Sequence, residues 1–314
     1  MKSVTKIIIT GGAGYIGSVL IPMLLDQKFK VTVYDSLLYG GTSLLPYVSN
    51  PNFSFIKGDV RDKKTLSYAL NNNDLIIHLA AIVGLSACNR DPKLAHSTNV
   101  EGTKNIIDLL SPSQTLIFAS TVSNYGAALG NSCKEDTPLN PLSLYAKTKT
   151  EAEKIVLDNC YNSLCLRFAT AFGVSPRMRL DLLINDFVYQ AYVNKFLILF
   201  EKTYRRTFVH VHDICLSILF AIENFNKMKH QVFNVGDNEN NFNKEDIALK
   251  IKKRIDYYLH FADIGEDEDK RNYCISYEKI NTLGFKATKT VDEGIDELIK
   301  SCQLFEYKHP YKNY

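Results

Sequence analysis

Lys6-Ile7-Ile8-Ile9-Thr10-Gly11-Gly12-Ala13-Gly14-Tyr15-Ile16-Gly17 is the stretch that decides the fold. The β-branched run favours a strand buried on both faces, and the residues from Tyr15 to Gln27 carry apolar side chains at helical spacing. A strand that turns through glycines into a helix presents backbone N–H groups and the positive end of the helix dipole to an anion. Each glycine has a steric reason. A side chain at Gly11 would obstruct the tight turn, one at Gly14 would keep the backbone from a diphosphate, and one at Gly17 would hold the helix off the sheet. Asp35 ends the next apolar run, 18 residues past Gly17, near the roughly 20 expected of an acidic residue that accepts ribose hydroxyls. Its charge would repel a 2′-phosphate, so the reading is NAD rather than NADP, with Tyr15 and Ile16 joining the three glycines and Asp35 in the cofactor set. The plainer alternative is a glycine turn before a helix, with Asp35 facing solvent.

Composition narrows the setting. The chain has 314 residues, room for about two domains or one with an appended lobe. With 46% hydrophobic and 23% charged residues it has the make-up of a globular protein, not of a disordered or fibrous one. A net charge of +3 is far from the basic surface that nucleic acid requires. No apolar run approaches the roughly 20 residues that span a bilayer, and Gly11 follows the first apolar run too soon for a secretory leader. The expectation is a cytoplasmic protein without membrane or nucleic-acid partners. Cys88, Cys133, Cys160, Cys165, Cys215, Cys274 and Cys302 are odd in number and scattered, which reads as reduced thiols without a metal. His210 and His212 suggest a metal pair, but no third ligand is evident.

Short apolar strands at 6–10, 30–35, 53–57, 74–79, 114–120 and 163–168 alternate with helical patterns at 15–27, 63–71, 94–110 and 144–159. This rhythm implies an α/β, doubly wound parallel sheet of the Rossmann type. It breaks after Phe172 and returns at 231–235. The expected partition gives 1–168, rejoined by 207–240, to the dinucleotide, and 169–206 with 241–314 to a smaller, discontinuous substrate lobe across a cleft.

Tyr145 and Lys149 are four residues apart, so a helix projects both from one face. A phenol with an ordinary pKa of about 10 is a poor base, and a nearby ammonium favours its ionised form. Tyr145 could then take the proton of an alcohol while the carbon beneath it is oxidised. In a chain with 18 tyrosines the pair gains its value from its position.

The glycine spacing resembles the extended short-chain dehydrogenase/reductases, in their nucleotide-sugar epimerase/dehydratase branch, and the resemblance recurs along nearly the whole chain. It implies that Asp59 and Val60 in Gly58-Asp59-Val60-Arg61-Asp62 hold the adenine. It also implies that Leu79, Ala80 and Ala81 line the cofactor and that Asn99 stands on its cofactor side; His78 reads as a satisfied core histidine and is assigned no chemistry. Thr121 matches the catalytic hydroxyl four residues before Tyr125-Gly126, with Ser120 or Ser123 as alternatives. Thr121-Val122-Ser123 lacks the two carboxylates that dehydratases of this family carry there. Arg177, Arg179, Asn185, Arg206 and Arg271 match positions that meet the sugar nucleotide, where guanidinium groups suit a diphosphate.

The run from Leu166 to Asp213, with Ile264 to Arg271, most resembles the family's capsule-pathway branch that oxidises GDP-heptose at C4. That implies a net 4-dehydrogenase, with a 4-epimerase as the alternative and a non-catalytic NAD sensor as a minor one. The family also implies a homodimer, through helices 94–110 and 144–159.

Overall fold

Ile7, Ile8 and Ile9 are wholly buried at the centre of a seven-stranded parallel sheet. The computed structural model describes residues 5–127, 132–262 and 274–304. Its strands are β1 (Lys6–Thr10), β2 (Lys30–Asp35), β3 (Phe53–Lys57), β4 (Leu75–His78), β5 (Thr115–Thr121), β6 (Ser163–Phe168), β7 (Thr170–Phe172), β8 (Phe196–Leu199), β9 (Arg205–His210), β10 (Val232–Val235), β11 (Asn241–Asn243) and β12 (Tyr258–Phe261). The helices are α1 (Gly17–Asp26), α2 (Lys63–Leu70), α3 (Leu85–Arg90), α4 (Pro92–His96), α5 (Gly102–Leu109), α6 (Leu144–Asn159), α7 (Leu183–Val193), α8 (Val211–Glu223), α9 (Phe225–Met228), α10 (Lys244–Lys252), α11 (Glu278–Thr282) and α12 (Val291–Cys302).

The large sheet runs β10-β6-β5-β4-β1-β2-β3 with every neighbour parallel. This is the doubly wound order of a Rossmann fold, and its direction reverses between β1 and β4. The glycine turn after β1 and Leu79–Ala81 after β4 meet at that reversal, where a Cβ on Gly11 would lie 2.6 Å from the Ala80 nitrogen. Gly11 also holds φ +73°, open to glycine at no cost. Open α/β sheets bind their ligands in this crevice, outside the carboxyl ends of the strands.

A second core lies beside the first. Phe172, Ile184, Val188, Phe208, Ile247, Ile251, Ile295 and Leu298 are buried together, under a three-stranded sheet β11-β9-β7 and a two-stranded sheet β12-β8. The chain enters this core after β6, leaves it at β9, crosses by α8 to the large sheet at β10, and re-enters at β11. Among the described residues no helix is long and apolar enough to cross a membrane. All seven cysteines are free thiols, buried or half-buried.

One helix departs from the sequence reading. The continuous helix expected over 94–110 is α4, a wide π turn at Ser97–Glu101, and α5. The wider turn takes up Asn99, whose side chain bonds backbone outside its own helix. Single π turns inside α-helices are a common way to place such a residue. Gly102 follows because a Cβ there would lie 2.6 Å from a methyl of Val60. His78 is a core histidine: Thr10 Oγ1 is 2.7 Å from Nδ1 and Thr103 Oγ1 3.0 Å from Nε2. Burial, with Lys149 nearby, pushes its pKa well below the usual value and keeps the ring neutral.

A test of the turn is Gly17→Ala. Helix propensity alone favours the alanine by about 1 kcal/mol, but its Cβ would fall on the backbone of Gly12, and overpacking of that kind costs about 1–3 kcal/mol. Because the atoms met are backbone, the upper end of that cost applies, and urea unfolding without added cofactor should show a net loss of about 2 kcal/mol. An unchanged or raised midpoint would show that the turn has room to give.

Candidate active site

The crevice is a cavity of about 1070 Å³, large for a small-molecule site. At one end it is lined by Gly11, Gly14, Tyr15, Ile16, Gly17, Asp35, Asp59, Val60, Leu79, Ala80 and Ala81. No side chain caps the N-terminus of α1, whereas Asp62 caps α2 and Ser143 caps α6. The N–H groups of Ser18, Val19 and Leu20 donate to the carbonyls of Gly14 and Ile16, so those just before them, from Tyr15 to Gly17, are the ones left for a ligand. Asp35 Oδ1 accepts from Leu37 N at 2.8 Å and Oδ2 from Ala13 N at 3.0 Å, which fixes the carboxylate at the cavity wall. Burial raises its pKa, and the two backbone donors and Arg177 offset part of that. Asp59 is held by Arg61, with Nε to Oδ1 at 3.0 Å and Nη2 to Oδ2 at 2.6 Å. A glycine cradle, a free helix N-terminus and a fixed ribose acceptor fit NAD.

Deeper in the cavity, Tyr145 and Lys149 stand on one face of α6, with Glu153 a further four residues along. Thr121, the last residue of β5, lines the same cavity with Ser123. Its Oγ1 accepts from Ser123 N at 3.1 Å and donates to Ser123 Oγ at 3.1 Å. The Ser120 hydroxyl is committed elsewhere, donating to Glu153 Oε2 at 2.5 Å. Glu153 takes Arg167 Nε at 3.0 and 3.2 Å, Arg167 Nη1 donates to Tyr125 Oη at 2.7 Å, and Tyr125 Oη donates to Asn234 Oδ1 at 2.8 Å. This buried network ties α6 to β5, β6 and β10 behind the reactive face. Lys149 is 3% exposed, with Nζ 4.0 Å over the Phe118 ring. Burial lowers its pKa to about 7, against a partial pull upward from Cys165 and Glu153.

The three described arginines expected at the sugar nucleotide separate. Arg179 and Arg206 line the cavity. Arg179 Nη2 donates to Asp181 Oδ2 at 2.5 Å, with Tyr145 close enough to influence its charge. Arg206 is buried on β9, Nη1 donating to Arg205 O at 3.0 Å. Arg177 lines the cavity too, with its guanidinium 4.4 Å over the ring of Tyr39 and its charge acted on by Arg179 and Asp181 and, more weakly, by Asp35. Arg271 lies outside the described residues.

Asn99 and Asn185 do not line the cavity; each braces its wall from behind. Asn99 Oδ1 accepts from Ile82 N at 2.8 Å, and Nδ2 donates to Ile82 O and Thr148 Oγ1, both at 3.0 Å. Asn185 Oδ1 accepts from Gly173 N at 3.0 Å while Nδ2 donates to Arg179 O at 2.9 Å, fixing the loop that carries Arg177 and Arg179. Both ring nitrogens of His210 are engaged: Nε2 pairs with Glu297 at 3.0 Å, and Nδ1 accepts from His212 N at 3.2 Å to cap α8. Tyr39, Asp181 and the Glu153–Arg167 pair escape a reading of the sequence. Glu153 carries the one local signal, the same four-residue spacing that joins Tyr145 to Lys149.

Residues 7–236 match the family model described as the NAD dependent epimerase/dehydratase family. The chain belongs to that family. As a member, the enzyme takes NAD as its cofactor. It is 27% identical over 307 residues to low-salt glycan biosynthesis protein Agl12 of Haloferax volcanii, covering 93% of this chain and 97% of the relative. UDP-glucose 4-epimerase 2 of Oryza sativa subsp. japonica is 33% identical over 188 residues, 55% of this chain and 46% of the relative. The crystal structure of UDP-glucuronic acid 4-epimerase from Bacillus cereus, in complex with UDP-glucuronic acid and NAD, is similar with a TM-score of 0.85 at 25% identity, over 96% of this chain and 100% of that one.

The buried ammonium gives the enzyme a pH signature. Lys149 has a folded pKa of about 7 against about 10.4 when unfolded, so between those values the unfolded chain binds the extra proton and stability rises with pH. Lys149→Met removes the buried charge. Its stability margin over the parent should be least near pH 10.5 and should grow by up to about 1.4 kcal/mol for each unit the pH falls. Below about pH 7 the margin should level off. Urea unfolding of both proteins at about pH 6, 8 and 10 measures it, and a margin independent of pH would place the ammonium in water.

Proposed function

We propose that the enzyme is a nucleotide diphosphate sugar 4-epimerase, oxidising the sugar at C4 and returning the hydrogen to the opposite face. The observation that carries this reading is the shared opening of Tyr145, Lys149 and Thr121 into one cavity with the glycine cradle, while Val122 and Ser123 occupy the positions where an elimination would need an acid and a base. Relatives that bear 4-epimerase names support it.

In this reading NAD, when bound, supplies the two-electron acceptor for the sugar carbon and the donor on return. Tyr145 removes the C4 hydroxyl proton and gives it back. Lys149 favours the ionised phenol, and a pKa near neutrality lets its charge respond to the phenol beside it. Thr121, its Oγ1 held in place by Ser123 N, swings its hydroxyl proton from Ser123 Oγ to the sugar oxygen. The catalytic set is therefore Thr121, Tyr145 and Lys149.

Residues 1–168 with 211–240 hold the dinucleotide, and 169–210 with 241–314 hold most of the sugar nucleotide, where Arg206 serves the diphosphate; the boundary lies at 210 and not 206 because all of β9 pairs in the small sheet. Arg179 spends its charge on Asp181, so the pair offers hydrogen bonds rather than net charge. That suits a neutral sugar better than a uronic acid. A net 4-dehydrogenase acting on GDP-heptose would use the same first half-reaction and differ only in releasing the keto sugar. The resemblance of segment 166–213 favours that variant, and the relatives favour the epimerase.

Tyr145→Phe should lower turnover by about 10²- to 10⁴-fold and leave NAD binding unchanged; undiminished turnover would remove Tyr145 from the mechanism. For the reaction itself, NAD-loaded parent should be given UDP-glucose, UDP-glucuronate and GDP-heptose, with products read by chromatography and mass. An isomer of unchanged mass is the expected result. A product two hydrogens lighter, with accumulating NADH, would make it a dehydrogenase.

A further inference from the structure

Arg177 is a strained resident of its site. It is 7% exposed, its Nη1 donates to Met178 O at 3.2 Å, and its Nε and Nη2 are buried without a hydrogen-bond partner. A buried guanidinium with two unmatched donors is costly, and native proteins seldom keep one without a ligand or partner to complete it. Arg179 and Asp181 on its own loop act on its charge, but its ties beyond that loop run to the dinucleotide side. The Arg177 N–H donates to Ser18 Oγ at 3.3 Å on α1, and Ser175 Oγ, two residues earlier, donates to Tyr15 O at 2.7 Å. The planar head lies on Tyr39, four residues past Asp35, and its charge is felt at the Asp35 carboxylate. Arg179, on the same loop, turns toward Asp181 and Tyr145 instead.

We propose that Arg177 is a cofactor clamp: from the loop between β7 and α7 it reaches across the cleft and donates to oxygens of the adenosine half of NAD. The unpaired Nε and Nη2 are the donors, and Tyr39 fixes the plane in which they point. The ligand is the dinucleotide, not the sugar nucleotide, because the head of Arg177 stacks on Tyr39 and acts on the Asp35 carboxylate, both on the ribose side of the cofactor site, while its backbone is tied to Ser18 on α1. A clamp contributed by the second lobe makes release of NAD depend on that lobe letting go. A slow exchange of this kind serves a reaction that regenerates its NAD in every cycle, so the consequence rests on the 4-epimerase reading while the contact itself rests only on the cofactor.

The test compares parent, Arg177→Met and Arg177→Lys, loaded with radiolabelled NAD and chased with excess unlabelled NAD, with no sugar present. Arg177→Met keeps the aliphatic stem and should release NAD about 10- to 100-fold faster, in line with loss of a charge-assisted hydrogen bond; Arg177→Lys should fall between. Without NAD, Arg177→Met should unfold at a urea midpoint no lower than the parent's, because it removes a buried charge with two donors unmatched. The rise in Tm on adding NAD should shrink. UDP affinity of the loaded proteins, by calorimetry, should stay within about twofold. Unchanged NAD exchange in Arg177→Met overturns the proposal, as does a fall in UDP affinity without faster exchange, which would return Arg177 to the sugar nucleotide. A failed epimerase reading shows separately, as the absence of an isomeric product from the parent.

Discussion

Everything at the reactive centre depends on keeping one ammonium group, that of Lys149, out of water on a helix that cannot shift. Desolvation alone would drive a lysine inward only at considerable cost. Three neighbours make the placement possible: the face of Phe118 beneath Nζ, the Glu153 carboxylate one turn along, and the large sheet closing the rest. The Glu153–Arg167 pair is itself buried, with side chains 3% and 5% exposed. Such a pair adds little net stability over an apolar substitute. Here its geometry counts for more than its energy, because it locks α6 to β5 and β6 in the register that brings Tyr145, Lys149 and Thr121 to one opening.

The same economy governs the walls. Asn99 and Asn185 are fully engaged amides that bind loop backbone, one at Ile82 and one at Gly173 and Arg179. Loops that carry binding residues need such anchors to be rigid without a ligand. They explain how a long cavity can be preformed between two cores while its lining comes from turns.

What was legible in the sequence was what is local. The glycine turn, Asp35 and the Tyr145–Lys149 pair are governed by spacing along a strand or helix, and the strands of the large sheet fall within a residue or so of the positions read from apolar runs. The three-stranded and two-stranded sheets were not legible, because β7, β8, β11 and β12 are three or four residues long and find partners far along the chain. Side-chain direction was the other loss. Arg177 and Arg179 are two residues apart, and only the fold decides that one stacks on Tyr39 and the other pairs with Asp181. The π turn at 97–101 was hidden for a similar reason: its cause is the tie between Asn99 and Ile82, across 17 residues.

The most direct test of the central claim, that this face moves the C4 hydrogen off the sugar and back within one closed site, is the fate of deuterium placed at C4 of a nucleotide sugar that the enzyme turns over. Nuclear magnetic resonance of the product would locate the label. The expected result is an inverted product that keeps its deuterium at C4, in ordinary water and with unlabelled NADH in the medium. Deuterium lost to the medium, or recovered in free NADH beside a keto sugar, would contradict it.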